Sequence, residues 1–248
     1  MADKYIRDLT AAGSISTSDL FEIETSGGNS RKVTGQTILD FANANGVGGL
    51  VMVEPSAADF GTLRNGMTSA PTLTDPSGQN GVLMQSTRQA SRQHAFELKS
   101  AGLSAPYTVE AAVYAQFDVD DPFWWGGIAI GDTSANQHAF MSFACNGVGA
   151  VAPAIECGYV NSLTASDSGT ILPVAANFFA WALFRLVNDG TNITGYWSPD
   201  GQGKHWHKVG SITISGNFTN GATMVGLHQG HVASTGTNKL WCPHFKVS

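Results

Sequence analysis

Charged residues are scarce in this sequence. Asp, Glu, Lys and Arg make up 13% of its 248 residues, half the share of about 25% that is usual in soluble domains. Helix-rich enzymes usually carry far more Glu, Lys and Arg, so the shortage argues against that class. The net charge is −6, without a basic cluster, whereas nucleic-acid binders neutralise phosphates with Lys and Arg. We therefore expect no nucleic-acid partner.

Long apolar runs and a cysteine framework are also missing. No stretch approaches the ~18 consecutive apolar residues of a membrane-spanning helix, and residues 1–20 lack the apolar core of a signal peptide. We expect no membrane insertion, and folding in the cytosol of the cell that makes the protein. Cys145, Cys157 and Cys242 fit no zinc spacing, so we expect free buried thiols. A Cys145–Cys157 bridge is the alternative, and an intracellular origin argues against it.

Turn-forming residues are abundant instead. The chain has 29 glycines and many Ser, Thr and Asn residues, which supply the positive φ angles and local hydrogen bonds of tight turns. Runs of alternating apolar and polar residues lie between the turns. The fold class predicted from this pattern is all-β, an antiparallel β-sandwich. Eleven strands are predicted, at 81–85, 92–98, 107–117, 125–131, 138–144, 154–160, 180–188, 192–198, 207–214, 222–228 and 239–247.

The first 45 residues read as a separate small module. Residues 20–25 alternate apolar and polar side chains, a Ser-Gly-Gly-Asn turn follows at 26–29, and a second short run covers 30–34, which predicts a β-hairpin. A short helix is predicted over 36–44, ended by Gly46. The module is too small to bury a core alone, so we expect it to dock on its own copies or on another protein.

Three segments follow from these patterns. Residues 1–45 are the predicted attachment module, residues 46–80 are a linker and irregular lead-in with one early strand at most, and residues 81–248 form the sandwich. The boundaries rest on the flexible Gly-Val-Gly-Gly-Leu joint at 46–50 and on the Pro and Gly residues that interrupt the chain up to residue 80.

The sandwich segment resembles concanavalin A-like (laminin-G-like) lectin domains. The resemblance is carried by AWALFRLVNDGTNITGYWSPDG at 180–201, HWHKV at 205–209, YTVEA at 107–111, GGIAIGD at 126–132 and MVGL at 224–227. These are strand-and-turn cues spread over residues 80–248. They imply a concanavalin-like jelly roll and are compatible with glycan recognition, but a fold does not by itself assign a function.

The N-terminal module resembles another group, the attachment segments of phage tail-fibre and tail-spike proteins. Residues 8–42 match the ordered pattern in which L-x-x-A and D-L-x-x-I lead through a turn to K-x-V-T and a short amphipathic helix. The resemblance implies a virion component that is assembled in the host cytoplasm. It also implies attachment to other virion proteins through residues 1–45, and a homotrimer.

The sequence carries no recognised arrangement of catalytic or metal-binding residues. Glycan-cleaving concanavalin-like proteins carry closely spaced carboxylates on one strand, but the strand at 107–117 has only Glu110, and Glu156 stands alone. We therefore expect no enzyme, no cofactor and no metal site. The run Asp118, Asp120, Asp121 could offer oxygen ligands to Ca²⁺, although an acidic loop is more often simply solvated.

Aromatic residues are the better candidates for a binding site. Exposed indoles stack on sugar rings while Asn, Asp and His bond the hydroxyls. Trp124, Trp125 and Trp206 lie near strand ends, and His205 and His207 flank Trp206. These five residues form the candidate glycan surface. In the alternative interpretation the tryptophans belong to the core. The pair His205 and His207 could bind a transition metal, although exposed histidines at alternate strand positions are common.

Three functional hypotheses follow. The first is a phage fibre or tail receptor-binding protein that attaches to a host surface, through glycan recognition by the sandwich. The second is a structural decoration or baseplate-connector protein without sugar binding. The third, disfavoured by the missing carboxylate pair, is a glycan depolymerase.

Overall fold

This structure is a computed structural model that describes residues 20–24, 30–34, 54–87, 93–100, 103–116, 123–132, 135–146, 153–164, 168–173, 182–199, 203–231 and 237–248. The chain folds into two compact units, residues 1–51 and residues 52–248. Within the described ranges no helix has both the length and the apolar character needed to cross a bilayer.

The first unit contains a β-hairpin. Strand β1 (Leu20–Glu24) runs antiparallel to β2 (Ser30–Thr34), with Leu20 opposite Thr34 and Glu24 opposite Ser30. The hairpin predicted from the alternating runs around the Gly-Gly-Asn turn is thus confirmed. The helix predicted over residues 36–44 lies outside the described residues.

The second unit is built from two seven-stranded sheets, in which all neighbouring strands are antiparallel. Sheet I contains, in spatial order, β11 (Ser168–Pro173), β10 (Pro153–Val160), β9 (His138–Asn146), β8 (Phe123–Asp132), β15 (Ala222–His231), β6 (Gln93–Ser100) and β3 (Thr62–Asn65). Sheet II contains β14 (His207–Thr213), β13 (Asn192–Ser198), β12 (Ala182–Asn188), β7 (Tyr107–Gln116), β16 (Thr237–Val247), β5 (Val82–Thr87) and β4 (Thr72–Thr74). The predicted antiparallel β-sandwich is confirmed.

Three strands differ from the prediction, and all three lie at sheet edges. Strands β3 and β4 extend the two sheets, so this part of residues 46–80 belongs to the sandwich instead of linking to it. Strand β11 lies at the other edge of sheet I and exposes Ile171. Edge strands are short or half-solvated, so they lack the strong alternation by which the central strands were recognised.

The main core lies between the sheets. In β7, Val109, Ala111 and Val113 are fully buried and face sheet I, because successive side chains of a strand point to opposite sides. Ile128 of β8 and Phe184 of β12 belong to the same core. Burial of such side chains contributes about 1.5–3 kcal/mol each, which makes this layer the main source of stability.

The Asn188-Asp189-Gly190 turn joins β12 to β13. Gly190 has a φ of 92°, which residues with a Cβ adopt only with strain. The Asp189 Oδ1 accepts hydrogen bonds from the backbone N–H groups of Thr191 at 2.8 Å and Asn192 at 2.7 Å. The turn sets the register of the β12–β13 pair, in which Arg185 lies opposite Tyr196.

Candidate functional site

Trp124 and Trp125, two of the five predicted glycan-binding residues, are buried. Their exposed fractions are 0% and 1%. Trp124 belongs to the core between the sheets, and Trp125 belongs to a second apolar cluster on the other side of sheet I. The Trp125 indole Nε1 donates a 2.7 Å hydrogen bond to Glu156 Oε2. Because both sides of β8 are covered, neither ring presents a face to a sugar at the surface. Both tryptophans are core residues, as in the alternative interpretation of the sequence.

The outward side of sheet I carries buried imidazoles as well as apolar residues. We define the imidazole cluster as His94, His138, His228 and Ser142, all fully buried. Ser142 Oγ lies 2.8 Å from His228 Nδ1, and His228 Nε2 lies 3.1 Å from His94 Nδ1. The His138 ring stacks on Phe96 with 3.7 Å between centroids.

Burial keeps the imidazoles of His138 and His228 neutral. It lowers the pKa of His138 to about 3 and lowers the pKa of His228 well below its ordinary value, and in each case the neighbouring imidazoles add to the effect. A neutral imidazole has one donor and one acceptor nitrogen, which matches the two contacts of His228. A Ser–His contact is also found at activated nucleophiles, but here both side chains have no exposed surface. The cluster is therefore a structural element.

The other three predicted residues lie at the surface, next to the β14 edge of sheet II. Trp206 is half-buried, and His205 and His207 are exposed. The Arg185 guanidinium carbon lies 3.8 Å from the centroid of the Trp206 ring, within the range of a cation–π contact. The His207 ring lies 6.1 Å from that of Trp197, which is buried. These three residues lie close together because they are consecutive in the sequence at the start of β14.

A polar row across sheet II was not predicted. We define the outer row as Lys246, Glu110, Arg185, Tyr196 and Lys208, which lie directly opposite one another on five adjacent strands. Both Nε and Nη2 of Arg185 contact Glu110 Oε1. Period-2 alternation with core neighbours could have assigned Glu110, Arg185 and Tyr196 to the outward side of their strands. Lys208 comes into the row only through the β-bulge in the β13–β14 pair, where the register shifts between Gly195 and Tyr196.

An open groove of 280 Å³ lies where β10 and β11 of sheet I approach β14 of sheet II. Several of its polar groups already have partners within the protein. Tyr159 OH donates to the backbone carbonyl of Asn217, and Ser211 Oγ lies 2.9 Å from Thr194 Oγ1. The groove is lined by Cys157, Tyr159, Gly169, Thr170, Ser211, Ile212, Thr213 and Asn217.

The structure bears on the cysteines and on the metal candidates only in part. Cys157 and Cys242 are free and buried, and burial raises the pKa of each thiol to about 12. The acidic run Asp118, Asp120 and Asp121 lies outside the described residues. Across the ranges that are described, no three His, Cys, Asp or Glu side chains come together in a way that could hold a metal ion.

No protein-family model and no curated protein matches this sequence. Among solved structures, a functionally unknown protein from Saccharomyces cerevisiae matches with a TM-score of 0.54 at 12% identity, over 78% of this chain and 98% of that one. A Bacteroides ovatus GH16 protein of a mixed-linkage glucan locus, in complex with its product, matches with a TM-score of 0.50 at 10% identity, over 81% and 98%. A GH43 glycoside hydrolase with an engineered active site matches with a TM-score of 0.53 at 16% identity, over 92% of this chain and 48% of that one.

These neighbours overturn one expectation. We expected no enzyme because the paired carboxylates were missing from one strand. That conclusion is wrong, since GH16 and GH43 hydrolases share the sandwich, so the fold and the missing motif do not exclude hydrolysis. At these identities the likeness is one of fold alone. The second unit of this chain is an antiparallel β-sandwich, and its likeness to these solved structures is a likeness of fold.

Proposed function

We propose that the chain is a virion protein of a phage-type particle that attaches to a host surface by recognising a glycan. The glycan surface comprises Trp206, His205 and His207, beside the β14 edge of sheet II. The observation that carries the proposal is the support of Trp206. Its ring packs on Arg185 at 3.8 Å, and Arg185 is in turn held by Glu110.

A supported, half-buried indole suits sugar recognition for a physical reason. The C–H faces of a pyranose ring pack on an aromatic face, and immobilising the aromatic ring beforehand lowers the entropy cost of binding. His205 and His207 are exposed on either side of Trp206 in the sequence, and imidazoles can bond sugar hydroxyls. The concanavalin-like sandwich, a fold shared with carbohydrate-active proteins, supports the same proposal.

Residues 1–45 would attach the protein to other virion proteins. The proposal is supported by the resemblance of residues 8–42 to phage attachment segments and by the hairpin of β1 and β2. A two-stranded hairpin is marginally stable by itself in water, so it gains stability by packing on a partner. Three copies of the chain would supply such a partner in a homotrimer.

The glycan role is tested with the full chain on a printed array of defined bacterial, plant and animal glycans. Wild type should bind a subset of them, and Trp206→Ala should lose at least about tenfold in affinity, as expected for an aromatic binding residue. Trp206→Phe, which keeps an aromatic face, should retain most of the binding. Binding of no glycan, or equal binding by Trp206→Ala, contradicts the proposal. Release of reducing ends, measured on the same glycans, separates recognition from hydrolysis.

The virion role is tested separately. Gradient-purified particles of the phage that encodes the chain should react with an antibody raised against residues 52–248. Absence from the particle contradicts this role. Presence in the particle together with failure on the array supports instead a decoration or baseplate-connector protein without sugar binding.

A further inference from the structure

The outer row of sheet II has a charge pattern that a neutral sugar would not use. Lys246, Arg185 and Lys208 supply three cations and Glu110 supplies one carboxylate, which gives 3 − 1 = +2 for the row. The whole chain carries a net charge of −6. A local cationic surface on an acidic protein attracts anionic ligands selectively, since the rest of the molecule repels them.

The spacing of the cations is regular. They lie on β16, β12 and β14, which are alternate strands of sheet II. Because adjacent strands are about 4.8 Å apart, successive cations of the row are separated by about 10 Å and the row spans about 19 Å. A linear polymer with a negative charge on each sugar can therefore contact all three cations at once.

Arg185 is held in place before any ligand binds. Glu110 contacts its Nε and Nη2, and Trp206 covers its guanidinium plane. Nη1 takes no part in the Glu110 contact, and its two N–H groups can donate to a ligand carboxylate. Lys208 is exposed and Lys246 is half-buried, so their ammonium groups can follow the ligand as mobile point charges.

Aromatic groups lie beside the cations. Tyr196 is half-buried in the row between Arg185 and Lys208, and Trp206 stacks on Arg185. Sugar rings that bear carboxylates have both an apolar face and an anionic edge. Cations that alternate with aromatic faces match that combination, whereas an anion without rings would use only the cations.

We propose that the outer row binds a polysaccharide that carries carboxylate groups, a polyuronate in chemical terms. Arg185, Lys208 and Lys246 bind the carboxylates, and Tyr196 and Trp206 pack on the sugar rings. The inference rests on the proposed function, because it names the class of glycan that the Trp206 surface takes.

The test uses the full chain and measures affinity for polygalacturonate in native gels, with neutral dextran and dextran sulfate as comparison polymers. Wild type should bind polygalacturonate, and binding should weaken when NaCl rises from about 50 to about 300 mM, because salt screens exposed charges. The double variant Lys208→Gln with Lys246→Gln should bind about tenfold more weakly, at a few-fold for each exposed charge pair. Lys208→Arg with Lys246→Arg keeps both charges and should bind as wild type does.

Three results overturn the inference. Equal binding of polygalacturonate by wild type and by the glutamine double variant shows that the two lysines do not contact the ligand. Tighter binding of dextran sulfate than of polygalacturonate indicates general attraction to polyanions. A change in oligomeric state caused by the glutamine substitutions assigns the row to an interface between copies.

The two levels of proposal fail differently. If neutral glycans bind on the array in a Trp206-dependent way and polygalacturonate does not bind, the inference about ligand class fails while the proposed function stands. If no saccharide of any charge binds, the proposed function itself fails.

Discussion

His228 bonds two other buried side chains, through Nδ1 to Ser142 Oγ at 2.8 Å and through Nε2 to His94 Nδ1 at 3.1 Å. Its ring also lies 4.3 Å from that of Phe140 and 4.6 Å from that of Phe96. Both nitrogens have partners and both ring faces have neighbours, so the orientation of the imidazole is determined by its surroundings. The outward side of sheet I is therefore an ordered second core, and its contribution to stability can be measured.

Replacing His228 by Ala should lower the free energy of unfolding by about 3 kcal/mol, because it leaves a cavity and removes the hydrogen bonds of Ser142 and His94. Unfolding in guanidinium chloride, followed by tryptophan fluorescence, measures the change. His205 is exposed, so His205→Ala should change the free energy by less than about 0.5 kcal/mol. Equal stability of the two variants would show that the imidazole cluster contributes nothing.

Acid should destabilise the sandwich below about pH 6.5. In the folded protein the pKa of His138 is about 3 and the pKa of His228 lies well below its ordinary value. As the pH falls, these two histidines are protonated in the unfolded chain before they are protonated in the folded protein. His138 removes about 2 kcal/mol of unfolding free energy between pH 6.5 and 4.5, because the slope approaches about 1.4 kcal/mol per pH unit as the pH falls below the unfolded pKa. The lowered pKa of His228 adds to this loss. Denaturant unfolding at a series of pH values from about 7.5 down to about 4.5 measures the loss.

The matched control for the acid effect is His138→Gln. Removing this one titrating group should reduce the slope of stability against pH by about 1.4 kcal/mol per unit between pH 6.5 and 4.5. Arg64 and His94 disfavour the charged form of His138, while Asp132 and the Asn136 backbone favour it. An unchanged slope would mean that His138 is protonated in the native protein.

Gly127 should tolerate no side chain. A Cβ at this position would lie 1.9 Å from the Met141 carbonyl oxygen and 2.7 Å from Ser142 Cα, both on the adjacent strand β9. Gly127→Ala forces these strands apart and should cost about 3 kcal/mol or more. Thermal unfolding by circular dichroism measures the shift.

Gly61 provides the comparison for Gly127. No atom lies within 4 Å of a Cβ built there, so Gly61→Ala should be neutral or slightly stabilising, by less than about 1 kcal/mol. Similar melting temperatures for the two alanine variants would contradict the close approach of β8 and β9.

The thiols of Cys157 and Cys242 should resist alkylation in the native protein. Burial raises the pKa of each to about 12, and the thiolate is the reactive form. After treatment with iodoacetamide at about pH 8, peptide mass spectrometry should find both cysteines unmodified without denaturant and fully modified in guanidinium chloride. Rapid modification of either one under native conditions would place it at the surface.

Patterns local to one strand or one turn were predicted well. The alternation in residues 107–117 identified strand β7, in which Val109, Ala111 and Val113 are buried. The abundant turn-forming residues predicted such turns, and at Asn188-Asp189-Gly190 a positive φ follows a side-chain acceptor. Such features depend on residues close in sequence, so the sequence contains the whole signal.

The candidate site was predicted only in part. Trp124 and Trp125 were placed on a glycan surface because they lie near a strand end beside Pro and Gly, yet both are buried. An alternating pattern shows that two sides of a strand differ, but it does not show whether the second side faces water or a second apolar cluster. For the same reason the imidazole cluster could not be predicted from the sequence.

The amino-acid sequence alone determined the central strands, their turns and the β-sandwich class, because alternation and turn chemistry act over a few residues. Only the tertiary structure decided that sheet I is covered on both sides and that Lys246, Glu110, Arg185, Tyr196 and Lys208 form one row. The physical reason is that neighbours across a sheet are set by strand order and register, and these bring together residues as far apart in sequence as Glu110 and Lys246.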